Sequence, residues 1–388
     1  MATDNNNKVL NVPNLRFPEF TEVWKDSNIG KCFDLYSGNT PSRMEKKHFI
    51  GDVNWITSGE LKEHYIGDTK ERISEKAAED NNLRILPVGT FVMAIYGLEA
   101  EGVRGTCSIT VKTSTISQAC MAFTPKSNVS NEFLYSWYKK HGNKIGIRYA
   151  QGTKQQNLSY DIIEKFPIRY PSIEEQEKLN TFISLLDKRI ATQNKIIEDL
   201  KKLKVAIRDK QLNAIRKHYG LNYQICDLLD YEQPTKYVVT DSEYSEDRSK
   251  TPVLTANKAF ILGYTNETFG VYDKGKCIIL DDFTLDCKYV DFPFKVKSSA
   301  IKILTVKNGY SLRYVYEYLN YLNLETTEHK RHYISEIEPM IIAYPTDKKG
   351  IDDFNNIMSS FESKIEIENK YLQSLLTQKV YLLSNMFI

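Results

Sequence analysis

The sequence predicts an α+β chain: two pseudo-symmetric globular domains at opposite ends of an antiparallel two-helix coiled coil. Three observations predict it. First, one heptad ladder is written twice, 175 residues apart. It runs Leu179, Ile183, Leu186, Ile190, Gln193, Ile197, Leu200, Lys204, Ile207, Gln211, then Phe354, Met358, Phe361, Ile365, Glu368, Leu372, Leu375, Lys379, Leu382, Met386. Its steps alternate four and three, the 3.5-residue period that keeps an apolar seam facing a partner helix. Second, the copies share their interruptions, Gln193 with Glu368 and Lys204 with Lys379, which chance rarely supplies. Third, each copy follows a long aromatic-rich stretch of mixed pattern, so the chain reads as globule, long helix, globule, long helix.

These observations set the boundaries at 1–171, 172–218, 219–345 and 346–388. Each helix of some 40 residues rises about 60 Å at 1.5 Å per residue. The first helix carries the chain from one globule to the other, and the second must run back along it to bury its seam. The apolar seam positions named above, from Leu179 to Leu382, are the expected coil interface.

Within the first globule, Pro13, Leu15, Arg16, Phe17, Pro18, Phe20 and Trp24 read as an extended segment laid on a domain surface, because proline resists helix. Short β-type runs follow at Val53–Thr57, Thr90–Tyr96, Ser108–Val111 and Ala119–Phe123, separated by Gly, Pro and Asn. A helix is expected over 131–141. Glu174, Glu175 and Glu177 then fall in the first turns of the long helix, where they suit its dipole. The second globule repeats this order in degenerate form: Ile225-x-x-x-Leu229-Asp230 echoes Ile29-x-x-x-Phe33-Asp34, Val253-Leu254-Thr255 echoes Trp55-Ile56-Thr57, and a helix over 311–322 echoes 131–141.

Composition narrows the class. At 388 residues, 41% hydrophobic and 26% charged, the chain is long enough for two cores and a spacer. No run approaches 18 apolar residues, so no membrane span is expected, and the polar Met1–Lys8 start reads as no secretory signal, which points to the cytoplasm. Six scattered cysteines without a C-x-x-C pair read as reduced, mostly buried thiols. The net charge of +2 divides into +3, +4, −4 and −1 over the four segments. Bulk attraction to a polyanion is excluded, so any nucleic-acid contact must come from local patches.

One such patch lies between Glu132 and Asp161, a stretch free of acidic residues. It holds Lys139, Lys140, Lys144, Arg148 and Lys154, interleaved with Tyr135, Trp137, Tyr138 and Tyr149, and then Gln151, Thr153, Gln155 and Asn157. Lys and Arg meet phosphates, whereas Gln and Asn pair with base edges. Ser58, Lys62 and Arg104 are further candidates in the first half, and Thr255, Asn257, Lys258, Lys330 and Arg331 in the second.

Catalytic signatures are weak. Gly270 to Cys277 approaches a P-loop, but Cys277 stands where the metal-binding hydroxyl belongs and Ile278-Ile279-Leu280 reads as strand. Asp281, Asp286 and Lys288 read as an acidic loop rather than a nuclease set, and His329 and His332 lack ligand partners. No catalytic, metal or cofactor site is expected in this chain.

The ordered motifs resemble the specificity (S) subunits of type I restriction-modification systems. They are Leu15-Arg16-Phe17-Pro18-x-Phe20 with Trp24 and Ile29-Gly30, Gly152-Thr153-x-Gln155-x-Asn157-Leu158-Ser159, Ile168-x-x-Pro171-x-Ile173-x-Glu175-Gln176, and Tyr231-Glu232-Gln233-Pro234-Thr235. After Pro345 the second half departs, with Thr346-Asp347-Lys348-Lys349 in place of Glu-Gln. The resemblance implies that each globule is a target recognition domain reading half of a bipartite double-stranded DNA site. It implies a coil that docks two methyltransferase (M) subunits, with restriction (R) subunits in the full complex. S-adenosylmethionine would reside on the methyltransferase, and ATP and Mg on the restriction subunit. The alternative from the residues alone is a two-headed protein-binding scaffold, which salt-insensitive binding would favour.

Overall fold

Alternating short β-type runs and turn residues build two units in the computed structural model, which describes residues 11–99, 102–152, 156–218, 220–257, 259–326, 328 and 330–388. Unit 1 comprises Met1–Gln193 with Tyr371–Ile388, and unit 2 comprises Asn194–Lys370. Unit 1 contains β1 (Lys25–Asn28), α1 (Ile29–Cys32), β2 (Phe33–Ser37), β3 (Val53–Ile56), β4 (Tyr65–Ile66), β5 (Arg72–Ile73), α2 (Glu75–Asp80), β6 (Phe91–Ala94), β7 (Cys107–Thr110), β8 (Ser114–Ile116), β9 (Cys120–Pro125), α3 (Asn131–Tyr149), α4 (Tyr160–Glu164) and β10 (Pro167–Tyr170). The long helix α5 (Ile173–His218) follows. Unit 2 contains β11 (Gly220–Gln224), α6 (Ile225–Leu228), β12 (Leu229–Glu232), β13 (Thr251–Leu254), β14 (Ile261–Thr265), β15 (Cys277–Asp281), β16 (Cys287–Val290), β17 (Lys295–Val296), β18 (Ile301–Val306), α7 (Leu312–Leu322) and β19 (Ile341–Pro345), then α8 (Lys348–Met386) begins.

The two units repeat one topology. Unit 1 orders a sheet β2-β9-β6-β7-β4, and unit 2 orders β12-β18-β15-β16. A smaller sheet, β5-β3-β8 or β14-β13-β17, is antiparallel on one side and parallel on the other in both units. A closing two-stranded ribbon, β1-β10 or β11-β19, leads into each long helix. The central strands β6 and β15 are buried at every residue, which suits their apolar sequences, broken only by Asp281 at the end of β15.

The short helices also correspond. Ser130 caps α3 by accepting from Phe133 N at 3.1 Å, and Ser311 caps α7 by accepting from Tyr314 N at 3.1 Å. Each cap is touched by an asparagine of the long helix in its own unit, Asn180 at 3.3 Å and Asn355 at 2.9 Å, residues 175 apart. One expectation needs correction: α3 runs on past residue 141 to Tyr149. Gly142 and Gly146 are tolerated in its interior because the 102–105 turn packs on them. A Cβ at Gly142 would come within 2.7 Å of the Tyr138 ring and 3.0 Å of Gly105 Cα. The residue Asn323, at φ +45°, instead ends α7 after Leu322.

The seam residues pair antiparallel inside each unit. In unit 1, Leu179, Ile183 and Leu186 share a core with Leu375, Leu382, Leu383 and Met386, and Asp187 bonds Lys379 while Arg189 bonds Tyr371. In unit 2, Leu212, Phe354 and Met358 share a core with Ile207 packed against it, and Lys204 bonds Glu362 at 2.9 Å. Partner numbers fall as residue numbers rise, the signature of antiparallel pairing. The matched interruptions Lys204 and Lys379 are therefore matched ion pairs: Asp187–Lys379 and Glu362–Lys204 join positions 175 apart on both sides. No helix among the described residues is long and apolar enough to cross a membrane.

Candidate nucleic-acid interface

In unit 1 the basic patch divides along α3. Phe133, Leu134, Tyr135, Trp137 and Tyr138 enter the core, leaving the cations on the outer side. Lys144 and Arg148 are exposed, with Arg148 Cζ 5.5 Å from the Tyr149 ring. Lys139 is half-buried, its ammonium 5.6 Å from the Tyr135 ring. Lys140 is committed elsewhere. Its Nζ donates to Ser384 O at 2.8 Å and to Phe387 O, capping the end of α8, and burial with the nearby Lys144 lowers its pKa.

The loop after α3 is held at its root. Gln151 and Asn157 exchange backbone hydrogen bonds of 2.8 and 2.9 Å, with Gly152 between them at φ +113°. Gln156 receives Leu98 N on its carbonyl at 3.0 Å, and its own N–H donates to Glu99 at 2.7 Å, which holds that carboxyl low. Arg104 donates to Gln156 Oε1 at 3.0 Å, its stem lying against Gly146. The Asn157 side-chain oxygen is buried without a hydrogen-bond partner. The structure thus joins Arg104, Gln151 and Asn157 around one loop, while Thr153, Lys154 and Gln155 lie outside the described residues. Gln156, which sequence reasoning passed over, organises that loop; its place in an amide-rich run was the available signal. Ser58 opens a turn closed by a capping box of Thr57 and Glu60, and exposed Lys62 follows on the same segment.

Unit 2 is different. The Thr255 hydroxyl donates to Asn257 at 2.9 Å, and Asn257 reaches Asp281 at 3.5 Å, so both side chains have internal partners. Lys330 is matched by Glu328 at 2.6 Å and Glu336 at 3.0 Å, and those pairs raise its pKa. Arg331 is exposed, and Lys258 lies outside the described residues. Unit 2 has its own carboxylate-free stretch, 292–316, but there Lys295, Lys302, Lys307 and Arg313 are paired with Glu267, Asp282, Asp230 and Glu362.

The weak catalytic signatures take structural roles. Asp281 accepts from Phe283 N and Thr284 N in a tight turn, and buried Asp282 pairs with buried Lys302 at 3.4 Å. His332 touches Thr326, Glu328 and Glu336, while His329 lies outside the described residues. The P-loop-like segment ends in strand β15, with Gly275 at φ +96° and Lys274 bonded to Glu232. Among the described residues no group of metal-ligating side chains could hold an ion.

A doubled α+β unit carrying paired long helices defines the architecture, a two-unit scaffold. Residues 21–202 match the family model described as the type I restriction modification DNA specificity domain. The chain is 50% identical over 125 residues to the Escherichia coli type I restriction enzyme EcoR124I/EcoR124II specificity subunit, covering 31% of each protein. It is 27% identical over 308 residues to the MjaIX specificity subunit of Methanocaldococcus jannaschii, covering 77% of this chain and 68% of that protein. In fold it is similar to the type I restriction-modification S subunit of M. genitalium, with a TM-score of 0.60, 16% identity and coverage of 97% and 99% of the two chains. A chain from a structure of type I restriction-modification complex assembly and conformational transition matches with a TM-score of 0.59 and 11% identity, over 94% and 97%. Each of these likenesses is to a specificity subunit or specificity domain of a type I restriction-modification system, or to a chain of such a system.

Proposed function

We propose that the chain is the DNA-specificity subunit of a type I restriction-modification complex, each domain reading one half of a bipartite site and the paired helices docking two methyltransferase subunits. The observation that carries this reading is the doubled unit itself, joined to a match with the DNA specificity domain across residues 21–202. The chain would supply the address. Methyl transfer from S-adenosylmethionine, and cleavage with ATP and Mg, would belong to cytoplasmic partner subunits.

The first half-site would be read from the 139–157 region. Lys139, Lys144 and Arg148 would meet phosphates, and the loop rooted by Gln151, Gln156 and Asn157 would face base edges. In this reading the paired helices set the unread gap. A matched four-residue insertion in α5 and α8 would add about 6 Å of helix and lengthen the gap by one or two base pairs. The test is co-purification with the methyltransferase and genome-wide mapping of methylated adenines. Altered half-site bases with an unaltered gap would refute the ruler, and complexes that methylate without sequence preference would refute the specificity role.

A further inference from the structure

His64 sits where three parts of unit 1 meet. It leads into β4, and its ring is sandwiched between Tyr65, at 4.1 Å with planes 5° apart, and Tyr135 of α3, at 3.8 Å and 4°. Nε2 lies 3.0 Å from Glu132 in the first turn of α3, and Nδ1 lies 3.8 Å from Asp187 Oδ2 on α5. That Asp187 oxygen is buried and has no hydrogen-bond partner, while the other oxygen takes Lys379 of α8. The Tyr65 hydroxyl donates to the second oxygen of Glu132 at 3.1 Å. A neutral imidazole has one N–H and could serve one of the two carboxylates; an imidazolium faces both with a donor and also suits the two aromatic faces.

Unit 2 shows the same junction built differently. Arg313 stands two residues after cap Ser311, as Glu132 stands two after cap Ser130, and Glu362 stands 175 residues after Asp187. Arg313 bonds Glu362 directly, with Cζ 4.2 Å from the Tyr289 ring. Lys204 joins Glu362 to buried Glu317 at 2.9 and 2.7 Å. Where unit 2 has a permanent cation on its short helix, unit 1 has a carboxylate, so a cation must come from elsewhere.

We infer that His64 is a positioning residue that works as a cation, tying α3 and the β4 segment of unit 1 to α5, and that this attachment loosens as the imidazole loses its proton. The inference concerns the chain alone and holds whatever the domain binds. The charged and titratable groups around the ring are Glu132 and Tyr135 from α3, Tyr65 and Glu63 from its own segment, Asp187 from α5 and Lys379 from α8, with Lys139 and Cys107 of β7 near Tyr135. Burial of the ring opposes its charge, but Asp187 and Glu132 outweigh it and raise the His64 pKa. A raised folded-state pKa gives stabilisation that is complete below the unfolded value of about 6.5 and is lost as pH climbs through the folded value.

The experiment is an NMR titration of histidine-labelled full-length chain, with His64→Gln assigning the resonance, alongside urea unfolding followed by tryptophan emission between pH 6 and 8.5. Trp24, Trp55 and Trp137 all lie in unit 1, so emission reports that unit. His64 should titrate above 6.5 in the wild type and lower in Glu132→Gln than in the wild type. The wild-type unfolding equilibrium constant should rise as pH rises, about tenfold per unit by which the folded His64 pKa exceeds the unfolded one, a slope absent from His64→Gln. Titration at or below 6.5, or equal pH slopes in the two proteins, would overturn the inference. Should His64→Gln fail to fold, Glu132→Gln decides: an unmoved His64 titration sinks it.

Discussion

At the start of α5 the Glu175 carboxylate is buried beneath Arg16 and Trp24, whereas at the start of α8 the Asp347 carboxylate stays at the surface and caps its own helix. Glu175 accepts from Arg16 at 2.8 and 2.7 Å and from Trp24 Nε1 at 3.3 Å. Gln176 accepts from Ser130 N at 3.0 Å and donates to Asn128 O and Pro171 O. Asp347 accepts from Lys349 N and Gly350 N at 3.0 and 2.9 Å. The Glu-Gln pair is therefore an internal fastener in unit 1, fixing the 11–24 segment and the cap of α3 over the helix start. In unit 2 Gln211 and Ile215 of α5 lie beside the start of α8, and α5 leads straight to β11, so no segment like 11–24 has to be fastened there. Missing Glu-Gln after Pro345 is explained by that difference in neighbours before any partner is invoked.

The sharpest way to break this comparison is to remove both carboxylates. Glu175→Ala should cost about 3–5 kcal/mol, because it leaves the Arg16 guanidinium, 13% exposed, without its partner. Asp347→Ala should cost about 1 kcal/mol, the loss of a helix cap. Tryptophan emission should register the first and miss the second; equal losses would mean the two entrances are fastened alike. Next in size, Ile183→Ala and Met358→Ala, matched and fully buried seam positions, should each cost about 2–5 kcal/mol. Calorimetry should find the two alike, and a strong inequality would show that the seams diverged. Smaller still, Ser130→Ala and Ser311→Ala should each lower stability by about 1 kcal/mol. Last, Lys139→Met should flatten the salt dependence of duplex binding by about one unit of slope, measured by anisotropy. Lys140→Met should leave that slope alone and lower the melting temperature instead; the reverse result would return Lys140 to the binding face.

The doubled coil was readable because seam burial imposes a period on sequence, and both copies kept their polar positions. What the period could not tell was why Lys204 and Lys379 are tolerated: their partners Glu362 and Asp187 sit off the seam and acquire meaning only when the helices are paired. The extent of α3 was hidden by Gly142 and Gly146, which look like terminators until the 102–105 turn is seen resting on them. In the candidate interface, charge and amide content marked the region but not the division of labour within it. Lys139 and Lys140 are neighbours in sequence, yet only one is consumed by a helix end. In unit 2, Lys330 looked like a phosphate contact because Glu336 is six residues away and folds back onto it only in three dimensions.

Cysteine placement has a practical consequence. All six thiols are free, and five are buried; burial pushes Cys107, Cys120, Cys277 and Cys287 up to about 12. Cys226, in the short α6 of unit 2, is the one only half-buried. A maleimide dye added to the native chain should therefore attach once, at a defined place, and attach six times after denaturation. The wild-type molecule thus comes with its own single-site reporter, and paired with the three tryptophans of unit 1 it allows energy transfer to be followed without adding or removing a cysteine.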